Sequence, residues 1–167
     1  MNTYSIDDVT REFPDAERIL SFPLEEPDLP RKFVSIFDRW LGKENYGQLD
    51  CKNDAERAER NERLLSHWEM IFERTPVFML NETGVLTEAV NRESFLSKCE
   101  YGGWKGSADF VFVLLPALGA YYQEHWDDTN VVWYSDIKKA QPLFDWAIAS
   151  GLHTLEDRRE NTDSAAT

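Results

Sequence analysis

Cysteine, histidine and positive charge are all scarce in this chain, and it has no long apolar run. Its two cysteines, Cys51 and Cys99, lie far apart and in no metal-type spacing, which excludes a disulfide scaffold and a Cys-x-x-Cys site. They read as thiols of a reducing compartment, with a single bridge between them as the alternative. The three histidines, His67, His125 and His153, stand singly, and no His-Glu-x-x-His or Gly-x-Ser-x-Gly motif accompanies them. A structural or solvent-facing imidazole is the default for each. Eighteen basic residues face 31 acidic ones, a formal net charge of −13. Such a surface repels nucleic-acid phosphates and anionic headgroups, so neither nucleic acid nor membrane is expected as a partner. The most apolar stretch, residues 110–118, falls short of the roughly 20 residues that span a bilayer. The first 13 residues carry Asp7, Asp8 and Glu12 and no apolar core of a signal peptide. A cytoplasmic protein is expected, or one exported without a cleavable signal.

What is present is apolar and aromatic side chain in quantity: 42% and 13% of 167 residues, including six Trp, six Tyr and ten Phe. A chain of that length can bury about 70% of its unfolded surface in one core. One α+β domain over residues 1–155 is expected, followed by a polar tail over 156–167.

Along the chain, Ser5 caps a short helix that Pro14 stops. Residues 23–30 hold three prolines and three acids and read as an extended connector. The offsets of Phe33, Ile36, Phe37, Trp40 and Leu41 predict a helix from Asp28 to a stop at Gly42. A longer helix starts at Asn53. Its front carries the pairs Glu56–Arg60 and Glu59–Arg63 and projects into solvent, while Leu64, Leu65, Trp68, Ile71 and Phe72 face the core. Residues 77–80 form a strand, 81–84 a turn, and Asn91 caps a short helix. Residues 110–115 lack polar alternation, which predicts a central strand buried on both faces. A hairpin of residues 120–126 and 131–134 turns across Asp127, Asp128, Thr129 and Asn130. Ser135 or Asp136 caps a last helix closed by Gly151. The fold class is therefore α+β: a mostly antiparallel sheet of about four strands with helices packed on one side.

Residues 106–137 contain no Lys or Arg, yet they include Asp109, Glu124, Asp127, Asp128 and Asp136. Together with Trp126, and with Trp104 displayed by a glycine-rich loop, these acids predict an outward-facing, one-signed rim. The run Glu124-His125-Trp126-Asp127-Asp128 has metal-ligating side chains, but strand alternation sends Glu124 and His125 to opposite faces. In the loop at 102–107, Lys105 precedes Gly106 and a strand follows, which is not a phosphate cradle. Neither a metal nor another cofactor is expected. The basic cluster Arg31, Lys32, Arg39 and Lys43 matches the acidic connector residues Glu25, Glu26 and Asp28.

These features favour an acidic protein-binding domain over a catalyst. An immunity-type inhibitor that covers a basic partner uses the same physics. Its contact residues are expected at Trp104, Glu124, Trp126, Asp127, Asp128 and Asp136. One alternative is an assembly subunit that dimerises through the aromatic hairpin of Tyr121, Tyr122, Trp126, Trp133 and Tyr134. Another is a small metal-assisted enzyme built on Glu124, His125 and Asp127 or Asp128.

Overall fold

A computed structural model describes residues 3–14, 29–80, 85–100 and 110–158. Its framework is an eight-stranded sheet: β1 (Thr3–Tyr4), β2 (Arg31–Ser35), β3 (Phe78–Leu80), β4 (Leu86–Glu88), β5 (Phe112–Leu115), β6 (Ala120–Gln123), β7 (Thr129–Tyr134) and β8 (His153–Glu156). The spatial order is β1-β4-β3-β5-β6-β7-β2-β8. Every neighbouring pair is antiparallel.

The four expected strands are β3, β5, β6 and β7, and they form the contiguous middle of the sheet. The expectation of about four strands is corrected to eight. Three of the additional strands have only two to four residues, too short to show a period. The fourth, β2, falls within the segment expected to be a helix. Its backbone pairs with β7 on one side and β8 on the other. Such pairing satisfies the strand's donors and acceptors and outweighs a weak helical pattern. Val34 then buries on one face of the sheet, and Phe33 packs, half-buried, on the other. Asp28, the expected cap, lies outside the described residues.

Four helices accompany the sheet: α1 (Ile6–Glu12), α2 (Asp54–Arg74), α3 (Arg92–Cys99) and α4 (Ile137–Ala149). Their starts follow the sequence. Ser5 and Asp8 form a reciprocal capping box, and Asn53, Asn91 and Asp136 each accept a backbone N–H of the first turn. Leu64, Trp68 and Ile71 of α2, Phe95 of α3, and Leu143 and Phe144 of α4 bury against Val34, Val113, Leu115, Tyr122 and Val132 of one sheet face. On the opposite face Val9 of α1 joins Phe78, Leu86, Leu114, Tyr121, Val131 and Trp133. Helices therefore do not occupy one side alone. Burial on both faces explains why β5 reads as an unbroken apolar run.

After β8, Asp157 is buried and pairs with Arg31 at 2.6 Å, and Glu156 pairs with Lys32 at 2.8 Å. The described residues run to 158; the rest of the expected tail, 159–167, lies outside them. Arg31 and Lys32 of the basic cluster pair with these C-terminal acids and Arg39 pairs with Asp38, while Glu25, Glu26 and Asp28 of the connector are outside the described residues.

Candidate functional site

The hairpin tip between β6 and β7 holds most of the expected site residues. Asp127 accepts the N–H of Thr129 on Oδ1 at 3.2 Å, closing a local turn. Asp128 adopts φ 54°, the one positive φ outside glycine among the described residues. Aspartate tolerates that region better than branched residues do. Asn130 then braces the tip from below: its Oδ1 accepts the N–H of His125 at 3.0 Å, and its Nδ2 donates to the Tyr122 hydroxyl at 3.1 Å. Burial raises the pKa of Tyr122 far above the ordinary tyrosine value, so its hydroxyl keeps its proton.

Glu124 is buried, and its carboxylate accepts the N–H of Val111 at 2.8 Å. Its own N–H donates to the Val111 carbonyl at 3.0 Å. The side chain therefore extends the β5–β6 ladder inside the protein. His125 beside it is exposed. The opposite orientations follow from strand alternation, and they keep the two side chains from converging on one ion. Among the described residues no group of three or more His, Cys, Asp or Glu is placed to hold a metal ion.

Arg60 organises the tip, although it comes from the polar front of α2. It is buried. Its Nη2 donates to the Gln48 carbonyl and to Glu56 Oε1, each at 2.7 Å. Its Nη1 donates to the Leu49 carbonyl at 3.0 Å and reaches Asp128 Oδ2 at 3.5 Å. The guanidinium also lies 5.4 Å from the centre of the Phe37 ring. Burial opposes the charge, but the hydrogen bond to Glu56 and the fields of its neighbours raise the Arg60 pKa above its ordinary value. One side chain thus ties together α2, the tip, the loop at 36–37 and the 3-10 helix Lys43–Gln48.

The result is a pair of aromatic rings in water. Trp126 at the tip is 53% exposed and Tyr46 of the 3-10 helix is 46% exposed. Their centroids are 6.4 Å apart and their planes meet at 88°. The edge-to-face arrangement is one that aromatic quadrupoles favour. Asp127 lies half-buried next to Trp126, and burial raises its pKa above the usual carboxylate value.

The expected acidic rim does not gather in one outward-facing patch. Glu124 and Asp128 turn inward, Asp128 onto an arginine from α2, and Asp127 caps its own turn. Asp136 is exposed but serves as the N-cap of α4, accepting the Lys138 N–H at 2.8 Å. It lies beyond the far end of β7, roughly 20 Å from the tip at 3.3 Å per residue. Trp104 and Asp109 lie outside the described residues. The tip therefore brings Glu124, Trp126, Asp127 and Asp128 into one region, and of these the structure exposes Trp126 most.

Tyr46 and Arg60 were not singled out by sequence reasoning. Tyr46 offered a weak signal, a lone aromatic in the polar stretch Lys-Glu-Asn-Tyr-Gly-Gln. Arg60 offered none, because its spacing from Glu56 reads equally as a solvent-exposed pair.

No protein-family model matches the chain, and no curated protein or solved structure is similar to it. No helix among the described residues is long and apolar enough to cross a membrane.

Proposed function

We propose that this domain binds another protein, covering a basic partner as an immunity-type inhibitor does, with the β6–β7 tip as the contact. The observation that carries the reading is the Trp126–Tyr46 pair: two large rings half in water, in edge-to-face contact at a braced hairpin tip. Tryptophan and tyrosine are enriched among residues that dominate interface energies. The net charge of −13 favours a basic partner and speeds its approach. In this reading the acidic body steers the encounter and the aromatic pair supplies the affinity.

Dimerisation through the aromatic hairpin is less favoured. Both β6 and β7 are interior strands, paired on both sides, and Tyr121, Tyr122, Trp133 and Tyr134 are buried. The hairpin offers another copy its tip and no free strand edge. A metal-assisted enzyme is disfavoured by the divergence of Glu124 and His125.

Site-specific photo-crosslinking in the source cell tests the reading. A crosslinker at position 126 is expected to capture one basic protein that a crosslinker at the exposed Ile148 of α4 does not. Identical capture patterns at the two positions would remove the tip from consideration.

A further inference from the structure

Resting on that reading, we infer that the corner between Trp126 and Tyr46 is a cation subsite, which takes an arginine or lysine side chain of the partner. Among the described residues, the other two half-buried tryptophans are covered by the protein's own cations. Arg158 lies over Trp40 at 5.2 Å, and Arg74 lies over Trp146 at 5.6 Å. The same device recurs at phenylalanine, with Arg31 over Phe33, Lys32 over Phe144 and Arg60 over Phe37. Among the described residues no cation stands over Trp126 or Tyr46, although these two rings are more exposed than Trp40 or Trp146.

The edge-to-face contact occupies one ring face, and the exposed aromatic face left beside the junction can receive a cation, because the negative faces of aromatic rings attract ammonium and guanidinium groups. Arg60, which also reaches the tip, is engaged by two carbonyls and two carboxylates and does not compete. An acidic protein thus presents an aromatic corner that the described cations leave open, complementary to a basic side chain.

Three labelled peptides of equal length, alternating Arg-Gly, Lys-Gly and Ser-Gly, test the subsite by fluorescence anisotropy at 150 mM salt. The Arg-Gly or Lys-Gly peptide should bind, and the ranking of the two identifies the preferred cation. The double variant Trp126→Leu/Tyr46→Leu should weaken that binding about 5- to 30-fold, the upper part of the cation–π range expressed as affinity, because two rings are removed together. Glu73→Gln, an exposed acid on α2 roughly 20 Å from Arg60 along the helix, should change it less than twofold. Equal affinity in the leucine variant, or no binding of either basic peptide, overturns the cation subsite. The protein-binding reading survives that failure, because leucine preserves an apolar contact; it falls instead if Trp126→Asp leaves capture of the crosslinked partner unchanged.

Discussion

Replacing Arg60 with methionine keeps an unbranched apolar stem and removes the guanidinium. Asp128, buried beneath the tip, then loses its positive neighbour, and the carbonyls of Gln48 and Leu49 lose their charged donor. Removing one partner of a buried ion pair costs about 3–5 kcal/mol, because the remaining charge stays desolvated. A domain of this size is stable by only about 5–15 kcal/mol, so the variant should fold but lose a large share of its margin. At about 2–4 °C per kcal/mol, the melting temperature should drop by roughly 6–20 °C. Denaturant titration gives the energy directly. A double-mutant cycle with Asp128→Asn separates the ion pair from the carbonyl contacts. Neutralising Asp128 in the methionine background should recover part of the loss, giving a coupling energy of about 1–3 kcal/mol. A cost below about 1 kcal/mol for Arg60→Met, or strict additivity in the cycle, would refute the role given to this arginine.

The core makes its own demands. His67 is fully buried between α2 and the sheet, 5.7 Å from the Tyr122 ring, and neither ring nitrogen has a hydrogen-bond partner among the described residues. Burial pushes its pKa down from 6.5 to about 3. The folded state therefore keeps His67 neutral where the unfolded chain takes up a proton. Stability is full above pH 6.5 and falls as the pH drops toward 3, by about 2 kcal/mol between pH 6.5 and 4.5. His67→Leu should flatten this part of a pH–stability profile measured by urea titration, and an unchanged slope would show that the imidazole charges inside the fold. Gly119 sits at φ 56°, where an added Cβ would lie 2.6 Å from the Ser135 hydroxyl oxygen. Gly119→Ala should cost about 1–3 kcal/mol by thermal or denaturant unfolding, and a neutral substitution would show that the turn before β6 relaxes freely.

The middle of the fold was legible in the sequence because its signals are local. An unbroken apolar run marks β5, a four-residue polar turn marks the β6–β7 hairpin, and Ser5, Asn53, Asn91 and Asp136 mark helix starts. The outer strands were not legible. β1, β4 and β8 are too short to carry a period, and β2 is fixed by pairing with β7 and β8, segments that lie about 100 residues away in sequence. The site divides along the same line. Trp126 was readable as an aromatic at a polar tip. Its acidic neighbours were readable as acids but not as to where they point. Charge spacing cannot distinguish a carboxylate facing solvent from one satisfied by Val111 N–H or by Arg60. That difference converts the expected acidic rim into a set of internal braces and leaves the aromatic pair as the exposed feature.

Affinity for the crosslinked basic partner, compared between the native protein and Trp126→Asp by surface plasmon resonance, is the most direct measurement of the tip's role. Because Trp126 is half-exposed and Asp127 and Asp128 are held independently of it, the variant should retain its unfolding midpoint while binding at least tenfold more weakly, a loss of about 1.4 kcal/mol or more. A partner that binds the aspartate variant as tightly as the native protein contradicts the assignment of the contact to the Trp126–Tyr46 pair.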